Sequence, residues 1–283
     1  MTSCLSYAAK ESAIHHNGNL VVFRNDLTDE NRRTLELLHT IRDSIAENYR
    51  NFFLCYQYLV KADTESVYGA EALLRWADEE GNIVPPGEFI PVLEHDPIFP
   101  SLGTWILRQA MTDGKRFLEK YPEFVMNVNL SYTQLERSDF VPMVCRVLEE
   151  TGFPADHLCL ELTESCRVLD LNVLRNIVAS LKTQGVLFAL DDFGTGYSSL
   201  DTVRSIPLDV IKIDRRFIDQ IKEDERQGKT IEIIRHLAEN YGCAICVEGI
   251  ESKEVRDILL QYQVDILQGF YYARPERIEK LLS

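Results

Sequence analysis

At 283 residues, 45% of them hydrophobic and 27% charged, the chain has the composition of a soluble globular protein and the length of one large domain or two small ones. Its formal charge of -15, from 45 acidic and 30 basic residues, argues against a DNA- or RNA-binding surface, which needs clustered Lys and Arg. No apolar run approaches the roughly 20 residues of a membrane helix and no signal-peptide pattern opens the chain, so a cytoplasmic protein without membrane contact is expected, whatever anchor a longer parent carries.

In chain order, residues 1–27 read as a helix, a turn at Asn17-Gly18-Asn19 and a short strand, too little to bury a core. Residues 28–50 read as an amphipathic helix opened by a Thr28 or Asp29 cap. From residue 52 short apolar strands alternate with longer helical stretches. Strands are expected near 52–59, 67–74, 124–130, 157–163, 186–191, 209–213, 243–248 and 264–268, with helices at 103–119, 134–151, 171–183, 226–240 and 252–262. Eight strands with interposed helices predict an α/β fold, a TIM-like (β/α)8 barrel. Only "VKADTES" joins the first two strands, too short for a parallel crossover, so the first strand should run antiparallel.

Seven scattered cysteines read as buried thiols of a reducing compartment. Cys243 and Cys246 form a CxxC, but on an alternating strand they point to opposite faces, which disfavours zinc or redox use. "DFG" at 192–194 lacks the other kinase motifs, and "GTG" lacks the third glycine of a dinucleotide fingerprint.

Alternation also sorts the polar residues. Glu71, Leu73 and Arg75 share one face, as do Asn127 with Asn129, Glu161 with Thr163, and Lys212 with Asp214; Glu248 and Gln268 close their strands similarly. The apolar faces can lie under outer helices, so the polar set should converge at the C-terminal mouth of the barrel. Crowded carboxylates repel by roughly 4 kcal/mol per pair in a partly buried site, so a cation must sit among them. Carboxylates and an Asn oxygen without histidine suit Mg²⁺ or Mn²⁺. Asp191 and Asp192 are adjacent; if the strand ends there, a turn lets both reach the cluster, and Gly194 and Gly196 supply flexible backbone beyond it.

The blocks "GAEALLRW", "NVNLS", "ELTES", "LDDFGTGYSSL", "IKIDRRFI", "VEGIE" and "QGFYYARP" follow one another as in the EAL family of cyclic di-GMP phosphodiesterases, which residues 51–283 resemble. The N-terminal block "YAAKESAIHHNGNLVVF" resembles the end of a GGDEF (diguanylate cyclase) domain, which makes residues 1–27 its remnant and 28–50 a linker helix. The resemblance implies a barrel with an antiparallel first strand, a homodimer, and two metal ions per site, Mg²⁺ or Mn²⁺. It implies Glu71, Asn129, Glu161 and Asp191 as ligands of one metal, and Asp191 and Asp192 with Glu248 as ligands of the other. It gives Lys212 a contact with the attacking water or leaving phosphate, Asp214 a supporting place, and Glu248 the task of orienting or deprotonating water. Gln57, Leu73, Arg75 and Gln268 match substrate-binding positions, and Glu164 and Glu251 match residues that brace the loop after the Asp pair. Two departures, Tyr58 for the family's Pro and Ala273 for a common Gly, touch no implied ligand.

The activity so implied is metal-dependent opening of cyclic di-GMP to linear pGpG. The rival readings are a catalytically inactive EAL module that binds cyclic di-GMP or a protein partner, and another two-metal barrel hydrolase.

Overall fold

The computed structural model describes residues 29–94, 96–163, 170–194 and 199–283; the expected GGDEF-like remnant, residues 1–27, lies outside them. Strands β1 (Phe52–Lys61), β2 (Val67–Ala77), β4 (Val125–Leu130), β5 (Leu158–Leu162), β6 (Leu187–Phe193), β7 (Val210–Ile213), β8 (Ala244–Val247) and β9 (Ile266–Gln268) close a ring. The two-residue β3 (Ile83–Val84) hangs on the end of β2. β1 runs antiparallel to both neighbours, β2 and β9, while the ring pairs from β2 through β9 are parallel. The short hairpin link therefore has the consequence expected of it.

The principal outer helices are α1 (Asp29–Ala46), α2 (Pro86–Glu94), α3 (Phe99–Lys120), α5 (Phe140–Thr151), α6 (Leu171–Lys182) and α8 (Glu225–Tyr241), with shorter α4 (Tyr132–Leu135), α7 (Ser199–Ser205), α9 (Lys253–Leu259) and α10 (Ile278–Leu282). The helix expected over 134–151 is two helices. Ser131 and Gln134 form a capping box that belongs to the short α4, and α5 starts afresh after Asp139. The stretch expected as 28–50 docks at its C-terminal end: Ile41 and Ile45 are buried, Ser44 Oγ accepts from Trp76 Nε1 at 3.3 Å, and Arg42 pairs with Asp96.

Two apolar clusters result. The larger fills the layer between strands and helices, from Phe52, Trp76 and Phe89 round to Leu267. The smaller, Leu59, Val125, Cys159, Ala189, Val210, Cys246 and Ile266, is the floor of the barrel interior. Gly69 permits this closure, since a Cβ there would stand 2.1 Å from the Val125 carbonyl oxygen on the neighbouring strand. Cys246 joins the floor while Cys243 is half-buried outside it, its Sγ 3.4 Å from the Leu208 oxygen, so the CxxC pair is split between faces.

Candidate active site

The floor fixes what stands above it. Side chains two residues further along a strand return to the same face, so Cys159 leads to Glu161, Ala189 to Asp191, Val210 to Lys212, Cys246 to Glu248 and Ile266 to Gln268. On β4 the sequence is Val125, Asn127, Asn129, and Asn129 is level with Glu161 across the β4–β5 pair. On the antiparallel β1, Gln57 stands opposite Glu71.

The β6 end departs from the expectation. The strand runs through the Asp pair to Phe193, and its register against β7 slips between Leu190 and Phe193. Asp192 takes φ 55°, the left-handed region that Asp tolerates better than most residues. A bulge, not a strand end, thus breaks the alternation, and Asp192 lies close enough to Asp191, Asp214 and Lys212 to feel their charges. Gly194 follows with φ 90°, and a Cβ there would come within 2.5 Å of the Phe217 ring. Gly194 is therefore required by close packing more than by flexibility; Gly196 lies outside the described residues.

Lys212 is the hub. Its Nζ stands 2.6 Å from Glu248 Oε1, 2.7 Å from Glu161 Oε2, 3.3 Å from Asp191 Oδ1 and 3.5 Å from Glu71 Oε2. Glu71 is also held by Asn129 Nδ2 and Gln268 Nε2, each donating at 2.7 Å. Gln268 reaches Gln57 Oε1 at 3.3 Å, and Gln57 Nε2 donates to the Ala273 carbonyl at 3.0 Å. Glu161 is 0% exposed and Lys212 1%, so these charges face one another with little water between them.

One ammonium does not balance four carboxylates, and the acidities show where the imbalance falls. Burial pushes Lys212 down, but the surrounding carboxylates, Asp191 foremost, outweigh it and raise the ammonium well above its ordinary value. Burial pushes Glu71 up, but Lys212 and the two amide donors hold it below the usual carboxylate range. Glu161 goes the other way: burial, only partly opposed by Lys212 and reinforced by Glu71 and Asp191, raises it well above that range. Burial also lifts Glu248 to about 8 and, with the charges of Asp191 and Asp214, raises Asp192.

Two buried oxygens in this cluster, Glu161 Oε1 and Gln268 Oε1, accept no hydrogen bond, and Asp191 Oδ1 and Glu248 Oε1 meet no donor besides the Lys212 ammonium. Orphaned hard oxygens beside excess negative charge fit a divalent cation of the magnesium or manganese class. Among the described residues no three acidic, His or Cys groups surround a point in ligand geometry; the Lys212 ammonium fills the centre. A cation would share these oxygens with Lys212.

Asp214 is turned partly away. Its carboxylate caps the short helical turn after β7, accepting from Arg216 N at 3.0 Å and Arg216 Nε at 2.6 Å. Burial raises its pKa, but the Arg216 bonds prevail and hold it low. Asp214 still lines, with Gln57, Glu71, Glu248, Gln268 and Phe270, a cleft of ≈ 200 Å³ at the mouth. Leu73, Arg75 and Asn129 line an adjoining cleft, where Arg75 Nη1 donates to the Leu74 oxygen at 2.8 Å. Glu251 is exposed on the wall of the first cleft, and Glu164 lies outside the described residues. Arg215, Gly249 and Phe270, which sequence reasoning passed over, also line that cleft. The signal for them was position, since each closely follows a strand end at the mouth.

The profile of the EAL domain family matches residues 39–275. MucR of Pseudomonas aeruginosa, described as a bifunctional diguanylate cyclase/cyclic di-GMP phosphodiesterase, is 32% identical over 262 residues, 92% of this chain and 38% of that protein. An uncharacterized signaling protein of Caulobacter vibrioides is 35% identical over 275 residues, 97% of this chain and 33% of that protein. The chain thus spans about a third of the length of these curated relatives. The MucR phosphodiesterase solved in complex with c-di-GMP superposes with a TM-score of 0.81 at 32% identity, covering 87% of this chain and 99% of that one. EAL enzyme Bd1971 in its cAMP- and cyclic-di-GMP-bound form gives a TM-score of 0.81 at 28% identity, covering 88% and 69%. Barrel, ordered motifs and family profile coincide over most of the sequence, and the chain belongs to the EAL domain family.

Proposed function

We propose that this chain hydrolyses one phosphodiester of cyclic di-GMP to give linear pGpG. The observation that carries the reading is the Lys212 hub, where Glu71, Glu161, Asp191 and Glu248 converge with oxygens left unbonded. The phosphodiesterase and c-di-GMP complexes among its relatives support the substrate.

Glu71, Asn129, Glu161, Asp191, Asp192 and Glu248 would hold Mg²⁺ or Mn²⁺, two ions per site. Bound there, such ions lower the pKa of water and neutralise charge on the attacked phosphate. The side chains supply the rest. Glu248, on the wall of the open cleft, orients the attacking water and takes its proton. Lys212, charged throughout the working pH range, stabilises negative charge on the phosphoryl oxygens or the leaving oxygen. Gln268 and Asn129 keep Glu71 oriented and ionised. Gln57, Leu73 and Arg75 extend the binding surface along β1 and β2, Asp214 keeps Arg216 beside the cluster, and Glu164 and Glu251 brace the loop after the Asp pair.

Residues 51–283 form the catalytic barrel in this reading, 28–50 a linker helix and 1–27 the end of a GGDEF-like domain, in a cytoplasmic homodimer. Among the described residues no helix is long and apolar enough to cross a membrane.

The test is incubation of the protein with cyclic di-GMP and Mg²⁺ or Mn²⁺, beside Glu71→Ala and Asp191→Asn, with chromatographic detection of pGpG. Wild-type turnover lost in both variants is expected. Binding without turnover in the wild type establishes the inactive binding module instead, and wild-type turnover retained by Asp191→Asn removes the two-metal reading.

A further inference from the structure

Between α3, α4 and α5 lies a cleft of ≈ 360 Å³, larger than the ≈ 200 Å³ cleft beside the acid cluster. Three arginines meet there, Arg108 from α3, Arg137 from the turn after α4 and Arg146 from α5, against two carboxylates, Asp139 and Glu150. In a chain of net charge -15 this is a locally positive hollow.

Its donors are largely unspent. A guanidinium carries five N–H groups. Arg108 gives Nε and Nη2 to Glu150, and Arg137 gives Nε and Nη2 to Asp139, at 2.7 to 3.2 Å. Both pairs are about half-exposed and therefore weak, so either guanidinium can turn to a stronger acceptor. Arg146 adds to the pull that Arg137 exerts on the Asp139 charge, yet it makes no ion pair among the described residues.

One buried side chain ties this hollow to the mouth. Gln134 is 4% exposed and lines both the arginine cleft and the cleft that holds Leu73, Arg75 and Asn129. Its Oε1 accepts from Ser131 N at 3.2 Å, and its amide lies against α3, where a Cβ on Gly103 would stand 2.2 Å from Nε2. Ser131 follows β4, whose Asn129 donates to Glu71 at 2.7 Å. A shift of α3 therefore reaches the end of β4 through closely packed atoms.

We propose that the arginine cleft is a second ligand site, for a phosphate monoester, and that its occupancy stiffens the β4 end of the mouth through Gln134. A tetrahedral dianion offers three oxygens to three guanidiniums held on separate elements, whereas a carboxylate offers only two. Phe140 and Met143 on the same wall supply apolar contact for the organic part of the ester, and the volume is that of a small-molecule site.

The test titrates metal-free protein in EDTA at low ionic strength with GMP and with inorganic phosphate, binding being read by ligand NMR; the acid mouth repels both anions under these conditions. GMP should bind with a Kd on the order of 1 mM or tighter. Arg146→Gln and Arg108→Gln should each weaken it by about tenfold or more. Lys229→Gln, which removes one exposed positive charge from α8, should leave it unchanged. Amide exchange in peptides covering 129–135 should slow by about threefold or more when GMP binds the wild type, and not in Arg146→Gln at the same GMP concentration. No binding by the wild type, or equal weakening in all three variants, would overturn the site. Binding with unchanged exchange at 129–135 would overturn the link through Gln134. Inorganic phosphate binding as tightly as GMP would overturn the ester assignment. Turnover of cyclic di-GMP enters none of these measurements, so the hydrolase reading and this site fail separately.

Discussion

The barrel interior holds two layers made by the same strands. The floor, Leu59, Val125, Cys159, Ala189, Val210, Cys246 and Ile266, is apolar and buried. The mouth, beginning two residues further along most strands, is Glu71, Glu161, Asp191, Lys212, Glu248 and Gln268, nearly as buried but full of charge. The floor gains stability by removing apolar surface from water. The mouth sacrifices stability, because carboxylates are kept there against their preference, as the raised pKa values of Glu161 and Glu248 record. The rigid lower layer is what lets the upper one be unstable without dispersing.

The sharpest way to break this contrast is Lys212→Met. Four carboxylates would lose their common counter-charge, and removing one partner from a buried ionic cluster costs about 3–5 kcal/mol. Turnover should fall by at least about 1000-fold. Calorimetry in EDTA measures the stability loss; a variant as stable as the wild type would mean that the hub does not hold the mouth together. Next in size is Ile266→Ala in the floor, two residues below Gln268. A cavity there should cost about 2–4 kcal/mol, with turnover per folded molecule within about threefold of wild type. If turnover collapses as it does for Lys212→Met, the two layers are not separable.

Much of this division was legible in the chain. Strict alternation in "LCLEL", "VIKI" and "ILQ" put Glu161, Lys212 and Gln268 on the interior face because a pleated strand has a period of two. The shortness of the link "VKADTES" fixed the sense of β1. The bulge at Asp192 was not legible: a left-handed Asp is allowed but not demanded by its neighbours, and the register slip is a property of two strands. The split of the 134–151 helix was hidden for a similar reason. Nothing in Glu136 to Asp139 forbids a continuous helix, and what sets α4 apart is the capping box that opens it at Ser131, with Gln134 crowded against Gly103, where a Cβ would stand 2.2 Å away. Lys212 was legible as a contact but not as a hub, since distances to four different strands are set by barrel closure.

Acidity offers a gentler probe. Glu161, Asp192 and Glu248 have folded pKa values above their unfolded ones, so each binds protons more tightly in the native state. Their stabilising contribution is complete below the unfolded carboxylate pKa, about 4.3, and is lost as pH rises through the folded values, about 8 for Glu248. Lys212, raised rather than lowered, stays charged across this window, and Glu71 titrates below it. The melting temperature of metal-free protein should therefore drop on the order of 5 °C between pH 5 and pH 9, and millimolar Mg²⁺ should remove most of that slope. A flat profile in EDTA would mean that the mouth carries no excess charge.

The smallest expected change in stability comes from Asp192→Asn, and it separates charge from backbone within the mouth itself. Asn accepts the left-handed conformation at φ 55° at least as readily as Asp, so the bulge should survive. The substitution removes one carboxylate from beside Asp191 and Asp214, whose charges, after burial, hold Asp192 above its ordinary pKa. Metal-free stability should therefore stay level or rise by up to about 1 kcal/mol. The Mg²⁺ concentration needed for half-maximal turnover should rise by about tenfold or more, because a hard ligand has been replaced by a neutral amide. Paired melting curves and Mg²⁺ titrations measure the two effects on one variant. If stability drops while Mg²⁺ dependence is unchanged, Asp192 serves the bulge and not the cluster, and the boundary between supporting and charged layers runs one residue earlier on β6 than its charge environment places it.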